Sequence, residues 1–189
     1  MVKYKIIDNF LPMEEFQILK DAFYNSDTCP WYFCEKENSL TNYDGPELDA
    51  QKFIHGVYHA SVRQAKPGWS HSGPTYVAPI IRELNVLLLY RIKMNLMPID
   101  GEVRTCRFHV DNIPFVDAGI KYSQGILYLN TCNGFTILED GTKIETIENR
   151  MLIIPGNCKH AGTTSSDDRR VLVNVNFVNS ETNSLYEQE

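Results

Sequence analysis

What this sequence lacks narrows its class first. Its 189 residues carry 18 lysines and arginines against 24 aspartates and glutamates, for a net charge of -6. Binding nucleic acid normally demands a basic surplus gathered on one face, so that class of partner is disfavoured. The opening twenty residues, MVKYKIIDNFLPMEEFQILK, interrupt every short apolar run with a charge. They hold neither a signal-peptide core nor a transmembrane span, and the expectation is a cytoplasmic protein with no membrane partner. The cysteines at 29, 34, 106, 132 and 158 are odd in number and form no CxxC pair. That is a poor framework for disulfides or structural zinc, so reduced thiols are expected. Internal repeats and low-complexity tracts are absent as well.

What is present is a globular composition, 43% hydrophobic and 22% charged. A chain of this size buries roughly 70% of its unfolded surface around one core, so a single domain over 1–189 is expected. The one candidate tail is the polar stretch of the last ten residues. YKIIDNF reads as a short strand, and PMEEFQILKDAFYNS as a helix with proline in its first turn and Phe16, Leu19 and Phe23 along its buried stripe. From Cys29 to about Pro74 the chain reads as irregular, punctuated by CPWYF, NYDGPE and KPGWSHSGP. YVAPIIRELNVLLL then predicts a second helix, with Ile80, Leu84, Leu87 and Leu88 on one side. Seven short runs follow with turn signals between them: YRIKMNL, VRTCRFHVD, GILYLNT, GFTILE, TKIETI, NRMLIIP and RRVLVNVNF. This pattern predicts a mainly β protein, an antiparallel sandwich or barrel with the two helices supporting one face.

Within these runs, RFHVDN places His109 and Asp111 two apart, on one face of a strand, where an imidazole and a carboxylate can share a metal. His160 follows the apolar run MLIIP and a PGN turn, forty-nine residues past Asp111, which suits a closing strand returning beside an early one. Two imidazoles and one carboxylate form the facial set that leaves three positions open on Fe(II). Nine and ten residues on stand Arg169 and Arg170. By strand parity Arg170 shares a face with Leu172, Asn174 and Asn176, while Arg169 shares one with three valines and Phe177. Arg170 is therefore the arginine expected to face a wet cavity, where a guanidinium takes a carboxylate bidentately.

This combination resembles the iron and co-substrate site of the Fe(II)/2-oxoglutarate-dependent oxygenases, and most of all the small prolyl-hydroxylase-like proteins of phage and bacteria. The similarity extends to IIDNFLP, YRIKMNL, YLNTCNGFTILEDGT and ENRMLIIPGNCKHAGTT, over residues 6 to 178. It implies a double-stranded β-helix (jelly-roll, cupin-like) core. It also implies Fe(II) on His109, Asp111 and His160, 2-oxoglutarate chelating that iron, and Arg170 pairing with its far carboxylate. Dioxygen would be the oxidant, with succinate and carbon dioxide leaving as a C–H bond is hydroxylated and ascorbate serving as a reductant. One departure stands out. Prolyl hydroxylases with the HVDN opening usually carry IYYLN, the first tyrosine helping to hold the far carboxylate. Here the string is ILYLN, with Leu127 in that place and Tyr128 on the opposite face. Asn176 or Tyr90 is the expected substitute, the alternative being a weaker hold on 2-oxoglutarate.

Other residues read more plainly. His55 and His59, four apart, suit a metal only on a helix, and no HExxH glutamate accompanies them, which favours structural or surface roles. Cys158 suits a buried small hydrophobe better than a ligand on ferrous iron. Trp31, Tyr32, Phe33 and Trp69 serve as a substrate wall or as core packing about equally well. Two other function classes share parts of the pattern: a non-catalytic jelly-roll binding protein, and a zinc-dependent hydrolase using the same three ligands. Neither needs an arginine ten residues after the last histidine. The substrate, a small molecule or a peptide with a prolyl residue among the candidates, is set by loops, for which 112–124 and 29–74 are the places to look.

Overall fold

The computed structural model describes residues 2–34, 52–60, 68–70, 73–111 and 113–187. In chain order its elements are β1 (Lys5–Ile7), α1 (Met13–Phe23), β2 (Tyr32–Cys34), β3 (Lys52–His59), β4 (Gly68–Trp69), α2 (Gly73–Glu83) and β5 (Leu88–Met97). Then come α3 (Ile113–Asp117), β6 (Ser123–Tyr128), β7 (Phe135–Leu138), β8 (Lys143–Glu145), β9 (Met151–Pro155), β10 (His160–Gly162), β11 (Arg170–Val178) and a 3-10 helix over Thr182–Tyr186. A large antiparallel sheet runs β1-β9-β6-β11-β5-β3-β2, with β4 added to β3, and a small sheet runs β10-β7-β8. The two make a double-stranded β-helix, and no helix among the described residues is long and apolar enough to cross a membrane.

The large sheet is covered on both faces. On one side Val171, Val173, Val175 and Phe177 of β11 join Ile92, Met94, Leu127 and Met151 beneath Phe16, Leu19, Phe23, Val77 and Ile80 of the two helices. The other face looks into the roll, where Ile126, Tyr128, Leu138, Leu152, Ile154 and Leu172 close one part with apolar side chains. All of β11 except its last residue is buried. Its alternation therefore sorts apolar from mixed residues, rather than core from solvent.

Four expectations change. The region read as irregular contains β2, β3 and β4, and β3 is eight residues long. Its string KFIHGVYH interleaves polar and β-forming residues without clean alternation, because a bulge between Gly56 and Tyr58 shifts the pairing with β5. The turn reading NYDGPE and residues 66–67 and 71–72 of KPGWSHSGP lie outside the described residues. The second helix starts earlier and stops at Glu83, because Asn85 takes a left-handed φ of 49° that ends the α-helix. Leu87 and Leu88 are consequently exposed, whereas Ile80 and Leu84 are buried.

The run VRTCRFHVD forms no continuous strand. It touches its neighbour at two bridges, Thr105 to Thr163 and His109 to His160, so that four steps on one side oppose three on the other. This extra residue breaks the ladder between them. Finally, the C-terminal stretch is tied down as far as Tyr186, whose hydroxyl donates to the Tyr122 carbonyl at 2.7 Å.

Candidate metal and co-substrate site

The His109 to His160 bridge is a closely hydrogen-bonded antiparallel pair, with His109 N to His160 O at 2.9 Å and His160 N to His109 O at 3.0 Å. It sets the two imidazoles side by side, with ring centroids 4.8 Å apart. Asp111, two residues on, returns to the same side, its Oδ1 3.7 Å from His109 Nε2. Donor atoms of His109, Asp111 and His160 all lie within 4.8 Å of one another.

The protonation of these groups suits a metal. His109 Nδ1 lies 3.0 Å from the Arg107 carbonyl and His160 Nδ1 3.1 Å from the Cys158 carbonyl. A carbonyl only accepts, so both Nδ1 atoms carry hydrogen, which leaves each Nε2 as the ring nitrogen for a metal. Burial, then the neighbouring His109, push the His160 imidazole down to about 4, so it is neutral at neutral pH. Burial opposes ionisation of Asp111, but Arg91, His109 and Lys93 outweigh it and hold the carboxyl well below the usual range. Neutral imidazoles and an ionised carboxylate are the forms that bind metal. The donor set thus fits a divalent ion, and its N2O composition suits Fe(II).

Around this triad are residues that the motif reading did not single out. Arg91 Nη2 lies 2.7 Å from Asp111 Oδ2. Gln124 Nε2 lies 3.2 Å from His160 Nε2, and Gln124 Oε1 accepts from Asn176 Nδ2 at 3.3 Å. The signal for Arg91 was available: in YRIKMNL, Arg91, Lys93 and Asn95 alternate with the apolar Ile92, Met94 and Leu96.

Arg170 opens into the same cavity as His109, His160 and Thr136 and is 1% exposed. Its Nε donates to Thr146 Oγ1 and its Nη2 to Thr136 Oγ1, both at 2.8 Å. The guanidinium also lies 5.5 Å from the centroid of the Tyr128 ring. Glycine makes room for it: a Cβ on Gly162 would stand 2.9 Å from Nη1, and one on Gly134 would stand 2.9 Å from Cδ. Arg169 turns the other way, over the Tyr24 ring at 4.2 Å, with Nη2 donating to the Tyr24 carbonyl at 2.7 Å.

The expected helpers of Arg170 are corrected. Asn176 is at the far end of β11, six residues or roughly 20 Å away by strand rise, and sits in the Gln124 network instead. Tyr90 is also remote, packed on Phe115 at 4.6 Å between centroids. Leu127 points into the core beneath the helices, so a tyrosine there would not reach Arg170. The tyrosine facing Arg170 is Tyr128, the second of the pair, and its hydroxyl shares Thr136 Oγ1 at 2.8 Å.

His55 and His59 are on a strand, four residues and roughly 13 Å apart, too far to share an ion. His55 Nδ1 bonds the Pro30 carbonyl at 2.9 Å. Cys158 is buried away from the ligands, burial pushing its thiol up to about 12. Trp31 packs against the helix-side core, Trp69 stacks on Tyr58, and Tyr32 and Phe33 are exposed. A wider cleft of about 930 Å³ beside Lys3, Asp140, Asn157 and Tyr186 is separate from the triad.

No family model and no curated protein sequence matches the chain. Solved structures do. A prolyl hydroxylase from Trichoplax adhaerens, in complex with a hypoxia inducible factor peptide fragment, is similar at TM-score 0.59 and 16% identity, over 98% of this chain and 87% of that one. A prolyl-4-hydroxylase from Pseudomonas putida is similar at TM-score 0.58 and 16% identity, over 94% and 92%. The non-heme alpha ketoglutarate dependent epimerase SnoN of nogalamycin biosynthesis is similar at TM-score 0.61 and 13% identity, over 95% and 79%. The fold is therefore the one found in 2-oxoglutarate and Fe(II) oxygenases.

Proposed function

We propose that this protein is an Fe(II)- and 2-oxoglutarate-dependent oxygenase that oxidises a C–H bond of a small-molecule or peptide substrate. What carries the reading is the meeting, in one cavity, of two histidines of the three-donor set with a buried arginine. Iron on His109, Asp111 and His160 would supply, with 2-oxoglutarate and dioxygen, the oxidation of C–H to C–OH, one oxygen atom entering the product and the other the succinate left by loss of carbon dioxide.

The chain's own contribution is to bind and orient. The Arg107 and Cys158 carbonyls fix both histidine tautomers, and Arg91 holds one oxygen of Asp111, which leaves Oδ1 beside His109 for the metal. Gln124 has to release His160 Nε2 as the ion arrives. Arg170 and the hydroxyls of Thr136 and Tyr128 receive the far carboxylate, a charge-assisted contact in a buried setting. A zinc hydrolase or a non-catalytic jelly roll with the same triad has no use for that cation.

The test uses Mn(II) as a redox-silent stand-in, and then Fe(II) with ascorbate. Wild type should remove the spin-resonance signal of free Mn(II) and release succinate from 2-oxoglutarate, whereas His109→Ala should do neither and keep its circular dichroism. Unchanged Mn(II) binding in His109→Ala would place the metal elsewhere. Zinc-supported hydrolysis without 2-oxoglutarate turnover would favour the hydrolase.

A further inference from the structure

Gln124 is a polar residue on β6, a strand whose every position is buried, and it is 1% exposed. It pairs across the sheet with Asn176 of β11 and Ile154 of β9. A carboxamide in such a place costs free energy unless both of its ends are paired. Among the described residues its Nε2 lies 3.2 Å from His160 Nε2, and its Oε1 lies 3.3 Å from Asn176 Nδ2. Both contacts demand the same orientation. His160 turns Nδ1 to the Cys158 carbonyl, so its Nε2 is the acceptor, and the NH2 end of Gln124 is the end that can face it. Asn176 donates to the oxygen end and holds that oxygen away from His160.

The ring nitrogen that Gln124 bonds is the one a metal takes. With an ion on His160 Nε2, the NH2 group of Gln124 loses its acceptor while Asn176 still turns it towards the centre. A buried donor left unpaired costs about as much as a lost hydrogen bond, so a new acceptor is needed. An amide nitrogen has no free electron pair and cannot itself ligate the ion. The three positions that the facial set leaves open are filled by oxygen donors, and these are acceptors.

Resting on the oxygenase reading, we infer that Gln124 binds the co-substrate at its chelating end, donating from Nε2 to a carboxylate oxygen where that oxygen meets the metal. Asn176 is the positioning residue that keeps the NH2 end of Gln124 inward. The pair spans β6 and β11 in register, so the sheet itself sets the direction of the donor.

Oxalate is the probe, a two-carbon chelator that offers carboxylate oxygens to a metal without the chain that leads to a far carboxylate. It is titrated by calorimetry into Mn(II)-loaded protein, with Mn(II) binding followed by spin resonance and folding by circular dichroism. Gln124→Leu should hold Mn(II) at least as tightly as wild type, because nothing competes for His160 Nε2, and oxalate about tenfold more weakly, the scale of one hydrogen bond to a charged group. Asn176→Leu should also weaken oxalate, and should add nothing in the Gln124→Leu background, because it acts through Gln124. Additive losses would overturn the positioning role. Should Gln124→Leu fail to fold, Gln124→Glu keeps the shape but cannot donate when ionised, and it should tighten Mn(II) while losing oxalate. Oxalate bound equally by wild type and both Gln124 variants, or Mn(II) weakened in step with oxalate in Gln124→Leu, would overturn the inference. The oxygenase reading fails by a different sign. Wild type that binds Mn(II) and oxalate without turning over 2-oxoglutarate sinks that reading and leaves the oxalate comparison to decide Gln124, whereas wild type that binds no Mn(II) overturns both.

Discussion

Arg170 is enclosed by neutral partners, two threonine hydroxyls, a methionine sulfur at 3.8 Å and the face of Tyr128. A buried guanidinium so placed suits the far carboxylate that the proposed function assigns to it, and removing one member of such a buried pair costs about 2 to 5 kcal/mol. Arg170→Ala should therefore raise the Michaelis constant for 2-oxoglutarate about 30-fold or more, measured as succinate release. Arg169→Ala should leave that constant nearly unchanged, because Arg169 lies over Tyr24 on the other side of the sheet. Equal effects of the two would remove Arg170 from the co-substrate site. Gly162→Ala probes the same contact from the backbone side. Its Cβ would stand 2.9 Å from Nη1, and the displaced guanidinium should weaken 2-oxoglutarate binding about tenfold, the scale of a modest overpacking. Mn(II) binding by Gly162→Ala, read by spin resonance, should survive.

Short elements here depend on side chains that imitate backbone pairing. Asn149, at a left-handed φ of 57°, accepts from Leu11 N at 3.0 Å and donates to Leu11 O at 2.8 Å, while its own carbonyl accepts from Phe10 N at 2.9 Å. It ties the segment entering α1 to the turn entering β9. Asn149→Ala would strip two buried backbone groups of their partners and leave an alanine in the left-handed region, at a cost of about 2 to 4 kcal/mol. The thermal midpoint should fall by roughly 5 to 10 °C, and a fall below 2 °C would mean that water replaces both bonds. The bridge between His109 and His160 is a similar economy: one hydrogen-bonded pair, rather than a strand, brings the ligands together.

For the whole molecule, the buried cations and thiols set how stability varies with pH. Lys52 and Lys93 titrate near 7 and 8 when folded and near 10.4 when unfolded, so below that value the unfolded chain binds more protons. Stability of the metal-free protein is then lost as pH falls from about 10 through 7. His160, pushed down to about 4, extends the loss from about 6.5 towards 4. Cys29 and Cys158, raised to about 11 and about 12, act the other way, because the unfolded chain releases thiol protons above about 8.5. Urea unfolding should therefore show a maximum at about pH 9.5, where the lysine and cysteine contributions cancel, rather than at the sequence pI of about 5.4. Lys52→Met should raise the midpoint at pH 7 by roughly 3 °C or more and flatten the slope between 7 and 8.5. A stability maximum at or below pH 6 would contradict the buried placement of Lys52 and the half-buried placement of Lys93.

Local periodicity alone was enough for the stripe of Phe16, Leu19 and Phe23, for the two faces of β11, and for which of Arg170 and Arg169 faces the cavity, since a period of 3.6 or 2 assigns a side chain to a face whatever lies opposite. His109, Asp111 and His160 were legible as residue types at a spacing. Tertiary structure decided what stands across from each of them. Parity says which way Asn176 points, yet the rows of the sheet place it beside Gln124 and leave Arg170 to Thr136, Thr146 and Tyr128. Register, bulges and crossovers are set by pairings between residues tens of positions apart, and no window of sequence contains both partners. The cationic row of Arg91, Lys93 and Lys52 exists only because β3 pairs with β5, a contact invisible along a chain whose total charge has the opposite sign.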